Sequence, residues 1–288
     1  MNQEIQRLLK RLRLGRTIES YPVTVTTAQI EGQQVHFCTN MEKDPIQRKQ
    51  RKGTFYEMHE LQELAKHFPK GGTFVDIGAN VGNHSLFAAM FMGAARVIPF
   101  EPNPRAYRLY IQNMLINGQT EKVDFSKLGC GLSDVEADGF GMQPKERNLG
   151  GAKMISKGGD LQVFRADSLL AEETPDMIKI DVEGMELGVL RGLSGLLDRC
   201  SPVIQIEVDV ENDAGFQEWL TASGYEVADT IKRYRQNLNY LLVHPAATAA
   251  RHKTKSKTAS PKAKTKARTS KKTKPPKKTP PKMLASAK

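Results

Sequence analysis

The chain has 288 residues, enough for one full-sized domain with extensions and for a substantial core. Hydrophobic residues make up 39% and charged residues 26%, and no apolar run approaches the ~20 residues that span a bilayer, which argues against a membrane-spanning helix. The formal net charge of +11 is unevenly placed: residues 251–288 hold 13 Lys and 2 Arg with no Asp or Glu, and without those 15 the body keeps 28 basic residues against 32 acidic, a charge of −4. Affinity for polyanions is therefore expected of the tail and not of the body. Cys38, Cys130 and Cys200 lie far apart without C-x-x-C spacing. Neither a disulfide framework nor a zinc site is expected, and a reducing, cytoplasmic setting fits.

The first segment, MNQEIQRLLKRLRLGR, lacks the apolar stretch of a secretory signal. It reads as a peripheral amphipathic helix, with a transit peptide or an anionic membrane surface as the alternatives. Residues 23–27 and 34–39 alternate around a Glu31-Gly32 turn signal, as in a β-hairpin. Helical spacing of Met58, Leu61, Leu64, Ala65 and Phe68 predicts a helix ended by Pro69 and Gly71-Gly72. Strands follow at residues 73–77, 96–101, 123–128, 177–181 and 203–208, alternating with helices from His84, from Asn103-Pro104, from Glu186 to Leu197 and from Ala214 to Ser223. That alternation predicts an α/β, mostly parallel sheet, with residues 237–243 as an antiparallel edge or hairpin. Residues 135–161 hold six glycines without sustained periodicity and read as a loop-rich insertion, either a lid or a floppy excursion. The division expected is an N-terminal helix and hairpin extension (1–54), a cofactor-binding domain (55–245) and a disordered Lys/Pro-rich tail (246–288).

Asp76 closes the first core strand before Ile77-Gly78-Ala79-Asn80-Val81-Gly82-Asn83, where glycine lets backbone pass close to a ligand. Glu101 ends the next strand and is placed to accept two hydrogen bonds from a ribose diol, a geometry common to NAD and S-adenosylmethionine sites. The glycine loop favours the second. A dinucleotide fingerprint needs glycine where this chain has Asn80 and Asn83, whereas S-adenosylmethionine has no phosphate and offers a cationic amino group and sulfonium to Asp76 and loop carbonyls. Asp181 and Glu183, in IKIDVEGME, fall at the carboxyl end of a later strand and so on the same rim, where they can orient a hydroxyl and take its proton. With Glu207 they could instead hold Mg²⁺, and Glu183 and Glu186 could simply favour a helix N-terminus. Ser133 and Asp134, after Gly129-Cys130-Gly131, would reach the adenine end of the cofactor, although a plain turn explains them almost as well. Tyr107, Tyr110 and Trp219 read as core, and His84 as a cofactor neighbour or a packing residue.

FVDIGANVGNHSLFAA, VIPFEPNP, GCGLSD and PDMIKIDVEGMELGVLRGL, in that order and spacing, resemble the FkbM family of S-adenosylmethionine-dependent methyltransferases over roughly residues 55–243. The resemblance implies a class I (Rossmann-like) methyltransferase fold, with a seven-stranded, mostly parallel sheet whose last strand is antiparallel. It implies that Asp76, Gly78, Ala79, Asn80 and Gly82 wrap the methionine moiety, that Glu101 binds ribose, and that Asp181 and Glu183 lie beside the substrate with Asp181 as the preferred base. It also implies O-methylation of a hydroxyl on a sugar or small natural product, with the Gly150-Gly151 region setting specificity.

The tail is a Lys/Pro/Ala/Thr low-complexity stretch outside the family pattern. It cannot build a core, and its lysines suit non-specific binding of DNA, RNA, anionic glycans or a membrane surface, or simply solubilise the chain. Two further readings follow from it: a polyanion-associated protein using the fold as a scaffold, and a nucleic-acid methyltransferase tethered by its tail. The acidic body and the lack of an evident base-flipping pocket argue against the second, as the intact Asp76, Glu101 and Asp181 set argues against the first.

Overall fold

The computed structural model describes residues 3–18, 22–232 and 234–246. The basic tail, with the disorder and polyanion binding expected of it, lies outside the described residues. Helix α1 (Gln3–Arg13) buries Ile5 and precedes the hairpin of β1 (Thr24–Ile30) and β2 (Gln33–Thr39). Its Glu31-Gly32 turn takes φ of 48° and 80°, the doubly positive geometry of a tight hairpin that follows strand twist. Short α2 (Pro45–Gln50) and α3 (Met58–His67) then lead to the first core strand.

That strand, β3 (Thr73–Ile77), is followed by α4 (Asn83–Phe87), which continues as a π-helical turn over Ala88–Met92, and by β4 (Arg96–Phe100). Helix α5 (Pro104–Ile116) starts at Asn103, whose side-chain oxygen accepts from the Arg105 N–H at 3.1 Å while Pro104 supplies the preset first turn. Next come β5 (Cys130–Ser133), β6 (Ala137–Gln143), β7 (Lys153–Ile155), β8 (Leu161–Arg165), α6 (Ala166–Leu169) and β9 (Met177–Ile180). The last elements among the described residues are α7 (Glu186–Gly192), α8 (Ser194–Cys200), β10 (Val203–Asp209), α9 (Asp213–Ser223), β11 (Glu226–Ile231) and β12 (Asn237–Val243).

The main sheet has the order β11-β12-β10-β9-β3-β4. Pairs β4/β3, β3/β9 and β9/β10 are parallel, and β12 runs antiparallel between β10 and β11. This is the Rossmann-like arrangement with a reversed final strand, but with six strands rather than seven among the described residues. The strand expected at 123–128 shrinks to one bridge, Val97 to Val123, because a one-turn helix at Phe125–Lys127 breaks it. Residues 135–161 carry two strands between their loops: β6 and β7 join β5 and β8 in a second sheet of order β5-β8-β6-β7. The alternation was hidden by a register shift between Ala137 and Phe140, with Gly139 at φ 83° inside it. The single helix expected over Glu186–Leu197 is two, α7 and α8, which meet at Leu193.

Strand alternation divides the core into two layers. Phe74, Val97, Met177 and Val203 face the side covered by β1, β2, α3, α4 and α5, while Val75, Ile98, Ile178, Ile180 and Ile204 face the other helices. Tyr107 and Tyr110 are core as expected, and half-buried Trp219 stacks on Phe216. The registers Ile77 to Ile180 and Ile77 to Phe100 bring the carboxyl ends of three strands level, and β10, with Ile206 beside Ile180, runs three residues further to Asp209. Gly192 closes α7 against β5: a Cβ there would lie 2.1 Å from the Ser133 carbonyl oxygen, whereas at Gly188 it would lie 3.0 Å from a movable hydroxyl. Gly192→Ala is therefore expected to lower stability by about 3 kcal/mol in urea unfolding, and Gly188→Ala by clearly less. Equal effects would contradict this account of the helix seat.

Candidate active site

On the levelled edge, the loop after β3 begins with Gly78 at φ 77°; a Cβ there would meet the Asp181 carbonyl oxygen at 1.8 Å, so only glycine fits. The Gly78 and Ala79 N–H groups both donate to the Phe100 carbonyl, at 2.9 and 3.0 Å, which fastens the loop to the end of β4. Gly82, at φ 87°, is packed on the Tyr110 ring and starts α4. Asn83 then bonds reciprocally to the Tyr56 backbone: its side-chain oxygen accepts from the N–H at 3.0 Å and its amide donates to the carbonyl at 2.9 Å.

Asp76 does not line the cleft. Its side chain is completely buried, one oxygen accepting from the Ser85 hydroxyl at 2.6 Å and the Ser85 N–H at 3.1 Å, the other facing Lys179 at 3.6 Å. Lys179 is its register neighbour on β9 and is equally buried; its Nζ donates to the Gly78 carbonyl at 2.7 Å and lies 3.4 Å from Asp181 Oδ2. Burial alone would push the Lys179 pKa down, but the carboxylates of Asp181, Asp76 and Glu57 outweigh it and hold the ammonium charged. Glu101, just past β4, accepts from the Asn80 N–H at 2.7 Å with one oxygen and from the Asn103 N–H at 2.8 Å with the other. Burial pushes its carboxyl up to about 7 despite both bonds.

Two adjoining cavities open along this edge. The inner is lined by Glu101, Phe100 and Pro102, by Cys130, Gly131 and Leu132, and from the insertion by Met142, Leu149, Ala152 and Met154. The wider outer one carries Glu57, His84, Glu207, Asp209 and Glu211, with Lys145 and Lys153 from the insertion and Tyr56 and Tyr234 at 2.6 Å, hydroxyl to hydroxyl. Gly78, Asn80, Gly150, Asp181 and Glu183 line both and mark their boundary. There the Asn80 backbone takes φ 49°, and its buried side-chain oxygen has no hydrogen-bond partner among the described residues, so it can accept from a ligand.

Of the residues singled out in the sequence, Gly78, Asn80, Glu101, Asp181 and Glu183 converge on the inner cavity, and Ala79 faces the outer one. Ser133 and Asp134 do not reach the cleft. Asp134 pairs with Arg191 at 2.7 Å and takes a bond from the Ser133 hydroxyl at 3.0 Å, which turns both toward α7 and leaves Cys130, Gly131 and Leu132 facing the cavity. Sequence reasoning missed Lys179, Lys145, Lys153, Tyr56 and Tyr234, together with the methionine wall. Its signal for Lys179 was a cation inside an otherwise apolar strand, since such a charge needs a buried partner.

Burial sets the chemistry of the acids. Glu183, held in a φ 51° turn, is raised to about 7 by burial and by Asp181 and Asp209, against Lys145 and Lys153. Glu207 is raised to about 8 by burial and by Asp181, against the Asn239 amide. A carboxyl poised near 7 can both hold and release a proton at neutral pH. Among the described residues no three His, Cys, Asp or Glu side chains are arranged to hold a metal ion. No helix there is long and apolar enough to cross a membrane.

Comparison with known proteins follows these lines. The chain is 27% identical over 163 residues to the methyltransferase sdnD of Sordaria araneosa, covering 44% of this chain and 62% of that protein. It is 28% identical over 134 residues to the hexuronic acid methyltransferase AglP of Haloferax volcanii, covering 45% of this chain and 53% of that protein. The match thus spans between half and two thirds of the length of these curated relatives. The crystal structure of methyltransferase FkbM from Methylobacillus flagellatus aligns with a TM-score of 0.44 at 16% identity, over 64% of this chain and 51% of that one. Residues 76–242 match the methyltransferase FkbM domain. This span runs from Asp76 in β3 to Leu242 in β12 and takes in more than half of the chain, which therefore belongs to the FkbM methyltransferase family.

Proposed function

We propose that the chain transfers a methyl group from S-adenosyl-L-methionine to a hydroxyl oxygen of a sugar or small natural product. The observation that carries this reading is the boundary between the cavities, where Asn80, Gly150, Asp181 and Glu183 serve both. A group transferred between two ligands must cross at such a place. The inner cavity suits the donor: each Glu101 oxygen spends one lone pair on a backbone N–H and keeps another for a diol, and Met142, Met154 and Leu132 offer apolar faces to a base. The unpartnered Asn80 oxygen suits the donor's amino group or its sulfonium. The outer cavity suits a polyol, with amides, carboxyls and two tyrosines in its wall. The hexuronic acid relative supports a sugar.

When bound, S-adenosyl-L-methionine supplies an electrophilic methyl on a sulfonium. The chain's part is to align the acceptor oxygen with that carbon and to remove the acceptor's proton. Glu183 is the better base, because its raised pKa matches neutral pH, while Asp181, paired with Lys179, orients the hydroxyl. In its carboxylate form Glu183 would take the acceptor hydroxyl's proton as the methyl group is transferred. This departs from the sequence-based preference for Asp181, whose carboxylate lies 3.4 Å from the Lys179 ammonium.

Calorimetric titration is expected to give micromolar binding of S-adenosylmethionine and none of NAD, with Glu101→Ala weakening it at least about tenfold, or ~1.4 kcal/mol. Absence of S-adenosylmethionine binding would remove the reading. In a screen of hydroxylated sugars with radiolabelled donor, Glu183→Gln should lose roughly 10²- to 10⁴-fold in turnover while keeping donor affinity. Asp181→Asn should lose less, and the reverse order would return the base role to Asp181. Glu207 gives a separate check by pH. Since folding raises its pKa from 4.5 to about 8, the folded chain holds that proton where the unfolded chain has released it, and stability falls as pH rises through this window. The urea midpoint of Glu207→Gln, relative to the unmodified protein, should therefore shift in the variant's favour from about pH 4.5 to about 8.

A further inference from the structure

Asp44 lies outside the family match, in the segment between β2 and α2, yet its carboxylate is completely buried. One oxygen accepts from the Gln47 N–H at 2.9 Å and caps α2. The other accepts from the Leu149 N–H at 2.8 Å, across 105 residues of chain. A helix cap needs one oxygen, and Ser or Asn on the surface provides it at little cost. Burying a charged group is expensive, and burial does raise the Asp44 pKa, opposed by the N–H groups of Gln47, Leu149 and Ile46. A second oxygen committed to Leu149 is what a clamp between distant segments requires.

Both ends of the clamp are fixed. On the Asp44 side, Gln47 Oε1 accepts from the Asn40 and Met41 N–H groups at 2.8 and 2.9 Å, holding the segment that carries the aspartate. On the other, the Leu149 side chain is 4% exposed and packs with Cys38 of β2, Val81 of the glycine loop and Leu109 of α5. Gly150 follows so closely over Asn80 that a Cβ would meet Asn80 Nδ2 at 2.6 Å. Leu149, Gly150 and Ala152 are the part of the β6–β7 loop that covers the inner cavity, whereas residues 144–147 of the same loop are exposed.

We propose that Asp44 is a positioning residue for the donor: through the Leu149 N–H the N-terminal segment holds down the roof of the inner cavity and slows escape of what is bound there. The inference rests on the reading of that cavity as the donor's. Asp44→Asn separates the two duties of the side chain. Asn caps α2 as well as Asp does but turns an amide N–H₂ toward the Leu149 N–H, so the cap survives and the clamp breaks. Leu149→Ala reaches the same roof from the other side, keeping the N–H and removing the plug.

The test uses the full chain. Limited trypsin digestion at Lys145 and Arg147, followed by mass spectrometry, should proceed at least tenfold faster in both variants. The dissociation rate of S-adenosylhomocysteine, measured by displacement, should rise at least fivefold in both, a readout that a purely structural cap would not move. Unchanged cleavage overturns the clamp, and faster cleavage with an unchanged dissociation rate overturns its role toward the donor. If the unmodified protein binds no S-adenosylhomocysteine, the functional reading and the donor role fall together. That failure is recognisable because cleavage of the variants still accelerates.

Discussion

Lys179 and the carboxylates beside it determine where a site can form in this chain. Lys179, in the middle of a central strand, is almost wholly withdrawn from solvent at the floor of the outer cavity, and leaving its ammonium unpaired would cost several kcal/mol by general experience with buried ions. Asp76 on β3 and Asp181 just past β9 provide the countercharge, and the Gly78 carbonyl accepts a hydrogen bond from the ammonium. Those three partners belong to the two strands whose ends frame the cleft. Satisfying the lysine therefore pins the first peptide of the glycine loop to the rim, and the 1.8 Å approach at Gly78 is the steric counterpart of that pinning. Asp76, which looked from sequence like a ligand-contacting acid, supports the loop from behind.

From this anchor outward the cleft grades from dry to polar. The inner end has aromatic, aliphatic and thioether walls around Glu101, and the outer end gathers carboxyls, of which desolvation holds Glu183 and Glu207 above their ordinary pKa. Lys145 and Lys153 arrive from the insertion and temper that acidity: Lys153 sits 3.5 Å from Asp209, and both oppose the rise at Glu183. The insertion thus does two things, walling the inner cavity with Met142 and Met154 and tuning the acids of the outer one. The proton affinity of the boundary depends on how closely the insertion packs.

What could be read in the sequence was what is local. The strand ending in DIGANVG, Glu101 before its capped helix, and the IKIDVEG segment each state their structure within a dozen residues, and their shared edge follows from the parallel-sheet rule. What could not be read depends on partners distant in the chain. Nothing near Lys179 announces Asp76, and nothing near Asp44 announces Leu149. Ser133 and Asp134 were misplaced because their direction is set by Arg191 and Gly192 on a later helix. The second sheet escaped because glycines and a bulge interrupt the alternation, and the strand expected near Val123 failed because a helical turn follows its first residue.

The place of β3 also governs how this chain can be built. Its residues 74–77 pair on one side with β4, made immediately afterwards, and on the other with residues 177–180. At about 5–20 residues per second of synthesis, the roughly 100 intervening residues take on the order of 5–20 s to emerge. Throughout that interval an apolar strand offers a naked row of amides and carbonyls to any other nascent chain, and Asp76 waits without its lysine. Crowded polysomes and slow codons between those two strands lengthen the wait, so the yield of folded protein depends on the translation of a stretch that contributes no strand to the main sheet except β4.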